Sequence, residues 1–296
     1  MTQFLSLLLN GLSLGAIYAL IALGFVVIFK SSEVVSFMHG SLLLLGAYLI
    51  AVLQDGLGFW GAVVVGVALT GLLGLLIDLV ILDRLRGAAV ISLAILTIGL
   101  DIVLSTELTR RIGSDILNIH HPWGGSVVHL GSVGITANRA IAMAVAAVLI
   151  GLFFAAFKYS SWGVAMRASA EDGEAAALMG IRLRRVSSLS WVIGGALAAV
   201  AGMFLVGSPT PGLTPSVGSV ALRAFPAAIL GGLDSTGGAL VGGLMIGMAE
   251  SFADGYQDQL LFLGRGFGAV VPYVVMLIVL LIRPSGLFGT RELTRV

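Results

Sequence analysis

The chain has 296 residues, 58% of them hydrophobic and only 10% charged, and its mean hydropathy of +1.08 lies far outside the range of water-soluble domains. A formal net charge of +1 gives no bias toward nucleic acid or an acidic partner, and the absence of cysteine excludes disulfides, thiolate catalysis and cysteine metal sites. The 4 histidines are scattered, with no pair at the spacing of a zinc-binding helix.

A helix needs about 20 apolar residues to cross a bilayer. Read in chain order, such runs cover Phe4 to Phe29, Val34 to Leu53, Trp60 to Leu82, Ala88 to Thr106, Ala140 to Phe157, Leu189 to Val206, Leu240 to Phe252 and Ala269 to Ile282. The first run lacks a basic n-region and is too long for a signal-peptide core, so it reads as a retained helix. A further stretch, Ser216 to Gly232, is apolar but carries Arg223 and Pro226 and closes in a Gly-Gly pair. It reads as a short, broken or re-entrant helix inside the bundle, because freed backbone groups need protein or a cavity at membrane depth. The expected fold is therefore all-α: a polytopic transmembrane helix bundle of about eight full helices plus one short or broken helix, forming a single domain over residues 1–296. Small residues at four-residue spacing fit close helix packing: Gly11 with Gly15, Ala198 with Gly202, Gly238 with Gly242, and Gly243 with Gly247.

Basic residues of the short loops set orientation. Lys30, Arg84 with Arg86, the segment Lys158 to Arg185, and Arg283, Arg291 and Arg295 all fall on one side if the short segment crosses. That count places the N-terminus outside and the C-terminus in the cytoplasm. The loop 107–139 then lies outside, although it holds Arg110, Arg111 and Arg139. The longest polar stretch on the inner side is 158–188. Within it Ala170 or Asp172 is suited to begin a short helix, with Glu171, Asp172 and Glu174 near its positive end, and Gly180 to end it. A helix so short needs a partner surface; a solvated basic loop is the plainer alternative.

Glu174-Ala175-Ala176, followed three residues later by Gly180, resembles the EAA-x3-G signature of ATP-binding cassette importer permeases, without the Ile-x-Leu-Pro tail of its fuller form. Three longer stretches are similar to the branch that carries branched-chain amino acids and related solutes. They are Asn10-Gly11 through Ser36-Phe37-Met38-His39-Gly40 to Tyr48; Arg167-Ala168-x-Ala170-Glu171-Asp172 through to Gly202; and Arg223-Ala224-Phe225-Pro226 through to Glu250. The resemblance implies a permease of the bacterial inner membrane that is not itself an enzyme. Its partners would be a second, paralogous permease, two cytoplasmic ATPases and an extracytoplasmic solute-binding protein. No cofactor is expected on this chain, ATP and Mg lying on the ATPases. The resemblance makes Arg167, Glu171, Asp172, Glu174, Ala175, Gly180 and Arg182 candidates for ATPase coupling. It implies docking of the binding protein on Glu107 to Arg139 and Pro209 to Ser219, and a mostly apolar path suited to a zwitterion with an aliphatic side chain. Urea, short amides and other amino acids remain alternative cargoes.

Ionisable residues within apolar runs cost roughly 2.5–3.5 kcal/mol on insertion scales and so mark cavities or partners. His39, Asp78, Asp101, Arg223 and Glu250 are of this kind. His39, Arg223, Phe225 and Glu250 are candidates for the translocation path; a satisfied helix-end histidine, a snorkelling arginine and a helix-end glutamate are the plainer alternatives. A secondary transporter or channel would need its own carboxylate near the broken segment, where Asp101 is the best available. An intramembrane enzyme would need a Ser-His, paired-Asp or metal constellation, and the sequence contains none.

Overall fold

The structure, a computed structural model, describes residues 2–85, 89–114, 116–130, 133–207, 212–259 and 266–289. Among these residues are ten α-helices and one two-stranded sheet. The helices are α1 (Thr2–Ser32), α2 (His39–Ile77), α3 (Val90–Ile112), α4 (Ala137–Tyr159), α5 (Ser161–Glu171), α6 (Gly173–Leu178), α7 (Leu183–Val206), α8 (Val217–Gly231), α9 (Thr236–Gly255) and α10 (Val271–Ile282). Strands β1 (Val127–Leu130) and β2 (Val133–Thr136) pair antiparallel between α3 and α4.

Five helices, α1, α2, α3, α4 and α7, are long and apolar enough to cross a membrane. Helix α2 contains two of the expected spans. Gly58, between them, has φ +68 and ψ 168, a conformation glycine enters at little cost. The chain folds back there: a Cβ on Gly66 would come 2.7 Å from the Ile50 side chain, a pair that a straight helix would hold about 24 Å apart.

Burial separates a centre from a periphery. In the most apolar stretch of each helix, 78% of α1 and 72% of α7 is buried, against 11% of α3 and 22% of α4. A helix apolar on all sides and buried on all sides is a core helix, and α1 is enclosed from Gly15 to Ile28, with Gly24 packing against His39 and Gly194. The small-residue pairs build this centre. Gly11 and Gly15 of α1 lie on Met248 and Leu244 of α9, while Gly243 and Gly247 of α9 lie on Ala19 and Gly15. A Cβ on Gly15 would stand 2.8 Å from the Leu244 Cα, so no larger residue fits without parting the helices. Gly238 and Gly242 bring α9 onto Gly231 and Ala227 of α8, and Gly202 seats α7 on Leu43 of α2.

Two expectations change in detail. The stretch Ser216 to Gly232 is short rather than broken: α8 runs through Pro226 without interruption, and Pro226, Ala227 and Ala228 are all buried among neighbours. Its 15 residues span about 22 Å, less than the hydrocarbon thickness. The loop 107–139 begins with helix, since α3 continues to Ile112, and ends with it at Ala137. Glu107, one turn before Arg110 and Arg111, pairs with both at 2.9 and 2.6 Å and sustains that last turn.

Outside the loop 107–139, the described basic loop residues gather at one end. Lys30 donates to the Asp234 carbonyl at 2.8 Å and sits over the Phe157 ring beside Lys158; Arg184 pairs with Asp83, next to Arg84, at 3.0 Å. Arg283 donates to the Leu287 carbonyl, and Leu287 and Phe288 in turn donate backbone N–H groups to Leu230 and Gly231 at the end of α8. Arg86, Arg291 and Arg295 lie outside the described residues. At the opposite end Gln54 holds the α3–α4 connection, donating to the Asn118 carbonyl at 2.6 Å and accepting from the His120 N–H at 2.9 Å. Around it Phe59, Trp60, His121, Trp123 and Phe204 form an aromatic cluster, as is common where a bundle meets water.

Candidate functional site

At the basic end, α5 and α6 form a compact projection. Ser160 caps α5 by accepting from the Gly163 N–H at 3.1 Å, and Asp172 caps α6 by accepting from the Ala175 N–H at 2.9 Å. The last turn of α6 closes in a Schellman arrangement, with the Ile181 N–H reaching the Ala176 carbonyl and the Gly180 N–H reaching Ala177. Gly180 takes φ +87 there, which explains the glycine at the end of the EAA pattern. Glu171, Asp172, Glu174, Ala175 and Arg182 all face solvent. Arg167 instead turns back, donating to the Phe157 carbonyl and covering the Phe157 ring at 5.2 Å, so it fastens α5 to α4.

Sequence reading passed over the two most conspicuous residues of this projection. Leu178 is 89% exposed and Met179 is 84% exposed, side by side at the tip of α6. Their signal was two large apolar residues between the alanines and Gly180, which in a chain this hydrophobic does not stand out.

Behind the projection lies a buried carboxylate. Asp78 is 1% exposed and begins a π-helical turn, Asp78–Leu82, at the end of α2. Its two oxygens accept from the Ser187 and Ser188 hydroxyls, each at 2.6 Å. Together with the Arg184–Asp83 pair this ties the first turns of α7, directly downstream of α6, to the end of α2. A cavity of about 300 Å³ lies beside this clamp, lined in part by Lys30, Glu33, Asp78, Ser169, Gly173 and Ser187.

A second charged cluster lies toward the opposite end. Glu250 of α9 is 2% exposed; one carboxylate oxygen pairs with the Arg223 guanidinium of α8 at 3.0 Å, and the other accepts from the Tyr18 hydroxyl of α1 at 2.7 Å. Two of the path candidates, Arg223 and Glu250, thus meet. They border a cavity of about 310 Å³ that also touches Arg139 and Asp254. Phe225, on the same helix, joins a different group: it contacts Phe25 at 5.2 Å and Phe37 at 5.8 Å. Phe25 in turn covers His39 at 4.4 Å. His39 is buried on every side, and among the described residues its ring nitrogens have no hydrogen-bond partner, unlike a satisfied helix-end histidine.

Asp101 has a structural role. Its carboxylate accepts the Ser41 backbone N–H at 3.2 Å, so α3 caps the start of α2. Thr97, one turn earlier, accepts from the Phe37 N–H at 3.2 Å. Among the described residues no group of three or more His, Asp or Glu side chains is placed to hold a metal ion.

A bundle of long apolar helices with an all-round apolar centre is that of a multi-pass membrane protein. This chain is a member of the family described as branched-chain amino acid transport system / permease component, whose sequence profile matches residues 7–280. It is 33% identical to the high-affinity branched-chain amino acid transport system permease protein LivH of Escherichia coli, over 99% of this chain and 98% of that protein. It is 32% identical to the corresponding protein BraD of Pseudomonas aeruginosa over the same shares. A probable branched-chain amino acid transport permease protein LivH of Methanocaldococcus jannaschii is 30% identical over 91% of this chain and 88% of its own length. Among solved structures, PsaBC from Streptococcus pneumoniae in complex with Fab matches with a TM-score of 0.50 at 18% identity, covering 93% of this chain and 91% of that one, which speaks to the fold alone.

Proposed function

We propose that this chain is the membrane permease subunit of an ATP-driven importer for branched-chain amino acids. It pairs with a second permease in the bacterial inner membrane, receives solute from an extracytoplasmic binding protein, and is driven by two ATPases that hold the ATP and Mg. The basic end is cytoplasmic, as the positive-inside rule requires, and the N-terminus is outside. The α3–α4 connection and the segment leading into α8 receive the binding protein; Pro209 to Pro211 of that segment lie outside the described residues.

The observation that carries the reading is the pair Leu178 and Met179, standing almost fully exposed on a short helix that is capped at both ends. Two large apolar side chains held rigidly in water fit a groove on another protein. Arg167, Glu171, Asp172, Glu174, Ala175, Gly180 and Arg182 build and flank that helix, and the Asp78 clamp carries its displacement into α2 and α7. Asp101 is engaged as a helix cap, which weighs against a secondary transporter that would need it as an ion site.

The complete importer in proteoliposomes, given labelled leucine, isoleucine, valine and urea, is expected to accumulate the three amino acids only with internal ATP. Uptake of urea with none of the three would overturn the cargo, and gradient-driven uptake by this chain alone would overturn the ATPase coupling. Leu178→Asp and Met179→Asp should each weaken ATPase binding about thirtyfold, from roughly 2 kcal/mol of lost apolar burial, as measured by co-purification and by ATP hydrolysis.

A further inference from the structure

We propose that the charged cavity between α1, α4, α8 and α9 is a transient subsite for the zwitterionic head group of an aliphatic amino acid. This rests on the permease reading above and adds a place on this chain where the cargo is held. The cavity, about 310 Å³, is of a size for one small solute. Its walls differ in kind. Leu7, Leu14 and Ile17 of α1 contribute apolar surface, with Asn10 and Ser13 between them, while Arg139, Arg223 and Asp254 contribute charge.

A pocket so charged does not open onto lipid tails, where each ionised group would be costly. It faces water or the second permease, which is where a path between two subunits runs. Within it Glu250 is already committed, since both of its oxygens hold partners and the side chain is buried. It therefore fixes Arg223 and is not itself a ligand. Arg223 spends one N–H on Glu250, and its side chain remains 31% exposed. A guanidinium has five donors, so a carboxylate can be received on the remaining ones. Asp254, exposed one helical turn beyond Glu250, supplies the complementary negative charge for an ammonium group. The aliphatic side chain then lies on Leu7, Leu14 and Ile17. With Glu250 engaged by Arg223 and Tyr18, the spare donors of Arg223 and the Asp254 carboxylate match the carboxylate and ammonium of a neutral amino acid better than they match urea, which has neither charge.

The test uses the complete importer in proteoliposomes with saturating leucine-loaded binding protein, reading leucine uptake and ATP hydrolysis together. Asp254→Asn is expected to lower uptake tenfold or more while hydrolysis stays within twofold of the wild type, and Asp254→Glu to restore at least half of the uptake. Leu14→Trp, which fills the cavity without touching its charges, is expected to give the same separation. Undiminished uptake in both Asp254→Asn and Leu14→Trp would overturn the subsite and leave the permease reading standing. A parallel fall of uptake and hydrolysis that Asp254→Glu does not rescue would also overturn it, by showing a structural role. A wild-type importer that carries another solute but no aliphatic amino acid would overturn the cargo reading and the subsite together.

Discussion

Asp78 and Glu250 are both acids sealed inside the bundle, and each has both oxygens occupied, yet their surroundings differ. Asp78 is held by two hydroxyls from adjacent residues of a single helix. Glu250 is held by a guanidinium from one helix and a phenol from another, beside a cavity. The first arrangement binds one pair of helices rigidly and leaves no donor to spare. The second joins three helices and leaves an arginine with unused donors at the cavity edge. Buried charge in this chain thus takes two forms: one that locks a pair of helices near the basic end, and one that leaves polarity at a cavity edge near the other.

The contrast can be broken first at Glu250. Replacing it with Ala strands Arg223 and frees the Tyr18 hydroxyl, so thermal unfolding in detergent should show a loss of about 3 kcal/mol, the lower end for a broken buried pair because Arg223 is partly exposed. The double variant Glu250→Ala with Arg223→Met should recover more than half of that loss, since no charge is left alone. A full, unrecovered loss would mean that packing, not charge pairing, holds α8 to α9.

Asp78→Ala comes next, at about 2 kcal/mol, because it leaves two buried hydroxyls without an acceptor and no stranded charge. Its sharper signature is functional. ATP hydrolysis should persist while uptake per ATP falls several-fold, measured in proteoliposomes, whereas Ser187→Ala and Ser188→Ala singly should show about half the effect. Equal coupling in wild type and Asp78→Ala would reduce the clamp to a packing detail.

The smallest effect concerns His121, in the α3–α4 connection. Burial against Phe59 and Trp123 holds its imidazole down to about 4, below its ordinary 6.5. A folded-state value below the unfolded one means that the unfolded chain binds the extra proton. Stability is therefore complete above pH 6.5, declines as pH falls toward 4, and is flat below that. Unfolding temperatures measured between pH 7 and 4 should fall in the wild type and fall less in His121→Gln; identical slopes would remove His121 from the account.

Much of the architecture was legible because lipid imposes simple demands. Long apolar runs marked α1, both arms of α2, α3, α4 and α7, and the four-residue spacing of small side chains marked faces fit for close packing, which the structure pairs as α1–α9, α8–α9 and α2–α7. The capped helix α6 was legible too, since Asp172 and Gly180 are required by local geometry: one oxygen for a free N–H, and one residue able to take φ +87. The loop 107–139 was less legible, because the pairing of Glu107 with Arg110 and Arg111 extends α3 into a stretch whose composition resembles a polar loop. Of the four path candidates, Arg223 and Glu250 meet, while Phe225 and His39 belong to a separate aromatic stack.

The sequence by itself determined that the chain lives in lipid, where its long apolar helices run, that Asp172 and Gly180 suit the two ends of a short one, and which glycines permit close approach, because each of these depends on hydropathy or on residues within a turn or two. Only the tertiary structure decided what the buried charges do. Asp78 meets Ser187 and Ser188, Glu250 meets Tyr18 and Arg223, and Asp101 meets Ser41 across separations no local rule spans. A charge in an apolar run announces that it must have a partner; which partner, and whether a cavity lies beside it, is settled by how the helices cross.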